Sequence, residues 1–352
     1  MIGDCLHRVA ACRESLTREE ARAVMAEILR GEATDAQIAG LLVALNMKGE
    51  SVEEIVGFAE AIRSAATPLE SLRTEAGALD VSGTEREALV DTCGTGGGRL
   101  PTFNISTTAA FVAAGAGVPV AKHGNRAMSS SCGSADVLEA LGVCIACPPE
   151  RVTACVEKAG IGFMFAQAHH PAMKHAAPVR RELGFRTVFN LLGPLTNPAG
   201  ATAQVIGVFE PGLTELLALA LRNLECRRAF VVYGWDGLDE LSTLGRTRVT
   251  ELKEGAIRTY ELTPDELGLP AASAADLEPG GSPEANAAVV RAVLAGHPGA
   301  RREIVLLNAA AALVAGGAAE SLREGIERAG AAIDSGAAAG CLDRMKEISH
   351  GV

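Results

Sequence analysis

From residue 89 onward, short apolar runs alternate with stretches long enough to form helices, and no other feature narrows the fold as much. Residues 89–92, 118–121, 162–166, 204–209 and 229–233 read as strands. Strands separated by helix-length segments must cross over rather than turn back on themselves, which builds a parallel sheet covered by helices. Such a sheet is buried on both faces. Hydrophobic residues make up 48% of the chain and aromatic residues only 3%, so that interior has to be made of Ala, Val, Leu and Ile. At 352 residues the chain exceeds what one hydrophobic core normally serves, and two domains are expected. The uncharged runs 105–121 and 304–319 are rich in Ala and Gly and read as core helices and adjoining strands, not membrane spans.

The first 66 residues follow a different period. Thr17 with Glu20, Thr34 with Gln37, and Ser51 with Glu54 each place a hydroxyl three residues before a Glu or Gln, the reciprocal capping pattern of a helix start. Apolar residues then recur at helical spacing, and Gly31 and Gly49 fall where the first two helices should end. Three helices are predicted here. Residues 67–88 are mixed and polar and read as a linker, and 267–283, rich in Pro, Gly, Ser and Ala, as a surface excursion.

The first strand–helix junction of the larger part reads DTCGTGGGRLPTFNIST, from Asp91 to Thr107. Gly94, Gly96, Gly97 and Gly98 allow positive φ and leave no Cβ in the way, so successive N–H groups can converge on an anion. Ser106 and Thr107 add hydroxyls at the start of the next helix, where the helix dipole also favours negative charge. A phosphate or diphosphate cradle is implied. It is neither familiar nucleotide loop: Arg99 stands where G-x-G-x-x-G needs its last glycine, and no lysine completes a Walker loop. After the second strand, KHGNRAMSSSCGSADVLEALG (residues 122–142) crowds cationic and amide donors together with few acids. After the fifth, YGWDGLDELST (233–243) carries the adjacent carboxylates Asp239 and Glu240, hard oxygen ligands of the kind that bind Mg²⁺ jointly with a substrate's phosphates.

With 32 Lys and Arg against 43 Asp and Glu, the net charge of −11 disfavours nucleic acid or an anionic membrane as a partner. The nine scattered cysteines, with no apolar signal segment at the start, fit reduced thiols in a cytosol. Cys144 and Cys147 form a CxxC pair with no second pair for zinc, and a strand would put them on opposite faces.

These segments, together with FAQAHHPAMKHAAPVRRELGFRTVFNLLGPLTNPA (165–199), resemble the anthranilate phosphoribosyltransferase family, and the likeness runs over essentially the whole chain to NAAAALVAGG (308–317). The resemblance implies an α/β protein with a small N-terminal all-helical domain, residues 1–66 joined by helices from about 168–190. A linker at 67–88 would lead to a large α/β domain, 89–352, with a mainly parallel central sheet that binds the phosphoribosyl donor. It implies a cleft between the two, a homodimer formed through the helical domain and a cytoplasmic enzyme of tryptophan biosynthesis. The family transfers a phosphoribosyl group from 5-phosphoribosyl 1-diphosphate to the amine of anthranilate with Mg²⁺, releasing pyrophosphate.

Carried over position by position, the donor would be held by Gly94, Gly97, Gly98, Thr102, Asn104, Ile105, Ser106 and Thr107. Lys122, His123, Gly124, Asn125, Arg126, Ala127, Met128, Ser129, Ser130 and Ser134 would cover it. Ser106, Asp239 and Glu240 match the metal positions, and Gly94, Asn125, His170, Arg180, Gly193 and Pro194 the anthranilate channel. Lys122, Asn125 and Arg180 would carry the catalytic work: leaving-group stabilisation, alignment of the ring and a fork on its carboxylate. Two positions depart from the family pattern. Gly98 stands where an aspartate is usual, and Tyr233 where a histidine commonly precedes the acidic segment, so altered donor affinity or metal dependence is expected. The alternatives are a pyrimidine nucleoside phosphorylase of the same architecture and a non-enzymatic relative that binds nucleic acid.

Overall fold

The computed structural model describes residues 1–69, 88–127 and 132–351. Most of the expected linker, and Met128, Ser129 and Ser130 of the expected donor loop, lie outside the described residues. The chain opens with α1 (Ile2–His7), which runs into a π-helical turn (Arg8–Cys12), then α2 (Arg18–Leu29), α3 (Asp35–Lys48) and α4 (Val52–Ala65). All three capping boxes form: Thr17, Thr34 and Ser51 accept the N–H of Glu20, Gln37 and Glu54, whose side chains accept the cap N–H in return. The helix α1 is one more than the three predicted, because it is too short to display a period.

Then follow β1 (Val90–Gly94), α5 (Ile105–Gly115), β2 (Val120–Gly124), α6 (Ser134–Leu141), α7 (Pro149–Ala159) and β3 (Ile161–Phe165). The connection to the next strand holds α8 (Ala166–His169), a 3-10 turn (Pro171–His175), α9 (Ala177–Leu183) and α10 (Val188–Leu195). The chain continues through β4 (Ala203–Gly207), α11 (Leu213–Asn223), β5 (Arg228–Gly234), β6 (Thr247–Lys253) and β7 (Ala256–Leu262), and ends in α12 (Pro283–Leu294), α13 (Ala300–Ala315), α14 (Leu322–Asp334) and α15 (Ala337–His350).

One seven-stranded sheet has the order β3-β2-β1-β4-β5-β6-β7; its first five strands are parallel and the last two antiparallel. The five expected strands are present, with β1 and β2 displaced about two residues toward their polar C-terminal ends. The β6–β7 hairpin was not predicted. Its turn, Glu254-Gly255, has both residues at positive φ, and its outer strand is largely exposed, so no apolar run marks it.

On β5, Phe230 and Val232 face one core, with α5, α13 and α15, while Ala229, Val231 and Tyr233 face another, shared with the N-terminal helices, α9, α10 and α11. The scarcity of aromatics is resolved by close helix contacts. Ala309 through Ala312 on α13 are fully buried, and a Cβ on Gly325 of α14 would lie 2.9 Å from Ala310. Among the described residues no helix is long and apolar enough to cross a membrane, and all nine cysteines are free thiols. Cys144 and Cys147 lie in the irregular stretch between α6 and α7, not on a strand as expected.

Within the helical part, Glu54 is fully buried: its carboxylate accepts the Leu16 N–H at 2.9 Å, the Ser51 N–H at 2.7 Å and Lys48 Nζ at 2.9 Å. Removing one partner of such a pair strands the other, so Glu54→Ala is expected to cost about 3–5 kcal/mol of unfolding free energy, against about 1 kcal/mol for Ser51→Ala. Denaturant titration of both variants measures the difference.

Candidate active site

Strand order reverses between β1 and β4, with β2 and β3 on one side and β5 on the other, and the carboxyl ends of strands at such a switch point form the ligand crevice of an open α/β sheet. Here Gly94 and Gly207 are register partners at the strand ends. The turn after β5 passes so close that a Cβ on Gly207 would sit 1.5 Å from the Asp239 carbonyl oxygen. Cβ atoms on Gly94 and Gly98 would lie 2.8 and 2.6 Å from the Asp239 carboxylate oxygens. These glycines are bare because a carboxylate has moved in. Gly96 and Gly97 are glycine for another reason, φ of +71° and +88°. The glycine turn and the acidic pair predicted from sequence therefore meet.

Burial raises the Asp239 carboxyl above its ordinary value, countered by the Arg186 charge and the Gly96 N–H. Glu240 is pushed up to about 8 by burial and then by Asp239, against the pull of Lys122 and the Ser106 N–H at the start of α5. Two neighbouring carboxylates that disfavour each other's charge make a seat for a cation. Among the described residues no three His, Cys, Asp or Glu side chains converge as a metal cage. Two hard carboxylates beside the Ser106 hydroxyl suit a hard divalent ion that completes its shell from a phosphorylated ligand.

Beneath this lies Lys122, 2% exposed, which donates to the Thr92 carbonyl and, at 3.3 Å, to Ser106 Oγ. Burial lowers its pKa and the Asp91 charge raises it. Asp91, fully buried and pushed up to about 6 by burial, accepts from the His123 N–H at 3.2 Å and from Asn197 Nδ2 at 2.8 Å. Asn197 also donates to the Ala121 carbonyl and accepts the Ala199 N–H. Sequence reasoning passed over Asp91, Asn197 and Arg186. Each makes its contact with the site through a partner remote along the chain.

The other expected positions divide. Ile105 and Thr107 are 1% exposed and offer the cleft main-chain groups only, while Thr102 and Ser106 are half-buried at its edge. Asn104 donates to the Cys132 carbonyl at 3.1 Å, and its Oδ1 is buried without a partner among the described residues. Gly124 is hemmed in: a Cβ would lie 2.1 Å from Ser134 Oγ. Ser134 in turn donates to the Asn125 carbonyl at 3.3 Å. Arg126 is engaged by Asp136 and Glu139, and the Ala127 N–H is taken by Asp136.

His123 and His170 lie with ring centroids 5.0 Å apart, both buried, and among the described residues Nε2 of the first and both nitrogens of the second have no hydrogen-bond partner. Arg180 is half-buried, its guanidinium 4.9 Å from the Phe189 ring and in no ion pair among the described residues. Pro194, on the same helix as Phe189 and Gly193, is held through its carbonyl by Gln204 Nε2 at 2.8 Å.

Two measurements follow. Gly207→Ala is expected to lower stability by about 3 kcal/mol or more, because backbone must move, whereas Gly212→Ala, with open space and ordinary φ, stays within about 1 kcal/mol of the parent. Burial pushes the His123 ring down to about 3 and the His170 ring to about 4. Once unfolded, both take up protons near 6.5, so their stabilising contribution is complete above that pH and is lost as the pH falls toward 3–4. The slope reaches at most about 1.4 kcal/mol per pH unit for each ring, and His123→Gln with His170→Gln should flatten it in denaturant titrations between pH 7 and 5.

Residues 86–339 match the family described as "Glycosyl transferase family, a/b domain", and residues 4–66 match "Glycosyl transferase family, helical bundle domain". The anthranilate phosphoribosyltransferase of Moorella thermoacetica is 54% identical over 332 residues, 94% of each chain. That of Symbiobacterium thermophilum is 51% identical over 345 residues, 98% of this chain and 97% of its own. Among solved structures, anthranilate phosphoribosyltransferase from Thermus thermophilus superposes with a TM-score of 0.88 at 46% identity, covering 99% of this chain and 100% of that one. The Saccharomyces cerevisiae enzyme in complex with PRPP and Mg gives 0.86 at 25% identity over 100% and 98%. With half its residues identical across nearly its whole length and the same two-part architecture, the chain belongs to the anthranilate phosphoribosyltransferase family.

Proposed function

We propose that this chain transfers the phosphoribosyl group of 5-phosphoribosyl 1-diphosphate to the amine of anthranilate, releasing pyrophosphate, as a step of tryptophan biosynthesis. One observation carries the reading: a bare glycine turn closes directly on a carboxylate, with Gly94 and Gly98 leaving room for Asp239. A seat for a cation beside a nest for an anion is what a metal–diphosphate needs.

Asp239, Glu240 and Ser106 would hold Mg²⁺, which when bound supplies positive charge for the departing diphosphate. Lys122, anchored from below on the Thr92 carbonyl and Ser106 Oγ, would add its charge to the same site, and the Gly97 and Gly98 amides would complete the cradle beside the Gly96 N–H that Asp239 already holds. Thr102, Asn104 and the start of α5 would line the ribose and its phosphate, with the Asn125–Ala127 stretch and Ser134 as the rim.

Arg180 would fork the anthranilate carboxylate, since its guanidinium lies partly buried against Phe189 and has no acidic partner among the described residues. Asn125, Gly193 and Pro194 would align the ring, so that much of the barrier is met by orienting two bound reactants. An aryl amine is unprotonated at neutral pH and needs no strong base. The rings of His123 and His170 stay neutral there, and the one unprotonated nitrogen of each would be able to accept a hydrogen bond from it. The exposed Met47 and a groove of about 340 Å³ between the π-helical turn and α3, lined by Val9, Ala39, Val43 and Met47, support a homodimer formed through the helical part, and free thiols support a cytoplasmic setting.

Loss of anthranilate fluorescence on adding donor and Mg²⁺ tests the reading. Arg180→Ala is expected to raise the KM for anthranilate about 10- to 100-fold, and Asp239→Ala to lower kcat about 10²- to 10³-fold. Turnover of thymidine with phosphate in place of anthranilate would reverse it, as would salt-dependent DNA binding without turnover.

A further inference from the structure

Arg186, in the loop between α9 and α10, touches three parts of the molecule. Its main-chain carbonyl accepts from Asn46 Nδ2 at 3.0 Å, near the end of α3. Its guanidinium donates to the Gly97 carbonyl and lies 4.4 Å from the centre of the Phe209 ring, just beyond β4. A Cβ on Gly97 would sit 2.4 to 2.7 Å from three atoms of that guanidinium, so the space beside Gly97 is filled by Arg186. The same charge bears on Asp239.

The geometry has a directional consequence. The Gly97 carbonyl and the Gly98 N–H belong to one planar peptide and point opposite ways. Gly97, at φ +88°, has a backbone that could turn that peptide either way at little cost. A cation fixed on the carbonyl removes the choice and presents the Gly98 N–H on the opposite side. Arginine is the side chain suited to this position, because its planar head stacks on an aromatic ring while donating in its own plane, which a lysine cannot do. The anchor at Asn46 ties this contact to the N-terminal helices, so the amide array is coupled to the helical part through the Arg186 main chain.

We propose that Arg186 is a positioning residue that fixes the Gly97–Gly98 peptide of the diphosphate cradle and locks it to the helical domain through Asn46. This rests on the reading of the glycine turn as a diphosphate site, and the test separates the two.

The probes are pyrophosphate with Mg²⁺, followed by calorimetry, and steady-state turnover. For Arg186→Ala the expected results are about tenfold weaker pyrophosphate binding and a similar rise in the KM for the donor, with the KM for anthranilate changed less than about twofold. Arg186→Lys should recover only a minor part, because charge without the fork and the stack does not hold the peptide. Asn46→Ala, which leaves the guanidinium in place, should raise the donor KM by a smaller factor. Arg186 is exposed, and its variants should melt with the parent. Unchanged pyrophosphate affinity in Arg186→Ala, full recovery with lysine, or no effect of Asn46→Ala would each overturn the proposal. A parent protein that binds pyrophosphate but never consumes anthranilate would sink the functional reading alone, leaving Arg186 to be judged on binding.

Discussion

A carboxylate can lie against a main chain only where that chain has no side chains to keep it away, and the crevice of this protein is organised around that exclusion. Gly94 closes β1, Gly207 closes β4, and the turn after β5 descends onto both until Asp239 occupies the volume that Cβ atoms at 94, 98 and 207 would need. The sheet supplies the rest. Parallel strands bring their carboxyl ends to one rim, and the reversal of strand order between β1 and β4 leaves that rim uncovered by a crossover helix.

Holding two acids at such a place requires a positive frame, and Lys122 provides it from within the sheet. Its ammonium joins β2 to the end of β1 and to the start of α5, while Asp91 and Asn197 complete the network on the far side. A buried ammonium without Asp91 would be driven toward neutrality, and a buried Asp91 without Asn197 and the His123 N–H would retain its proton more firmly. The polar residues under the crevice hold one another in charge and place, which is why so few of them can face a ligand.

What could be read from the sequence follows from how local the cause is. Capping boxes involve residues three apart, and all three declared themselves. Strand existence was legible in apolar runs, but strand ends were not: Lys122, His123 and Gly124 are paired with β3 although nothing about them looks like a strand, because their partners and not their polarity decide. The β6–β7 hairpin went unseen since one face is wet. The glycine turn and the acids were visible as separate peculiarities, and the family resemblance joined them. Arg126 carried an expectation drawn from its neighbourhood, yet its guanidinium is occupied by Asp136 and Glu139, a commitment that depends on how α6 packs. Asp91, Asn197 and Arg186 acquire meaning from contacts remote along the chain, Asp91 with Asn197 and Arg186 with Gly97.

The demand at residue 207 originates in the route of the chain and not in any side chain: it is the carbonyl of Asp239 that would be struck. Acid and route can thus be inherited apart. A descendant that discarded the carboxylate for some other chemistry, keeping the same turn, would still be bound to glycine at 207, a relic recording where an acid once had to pass.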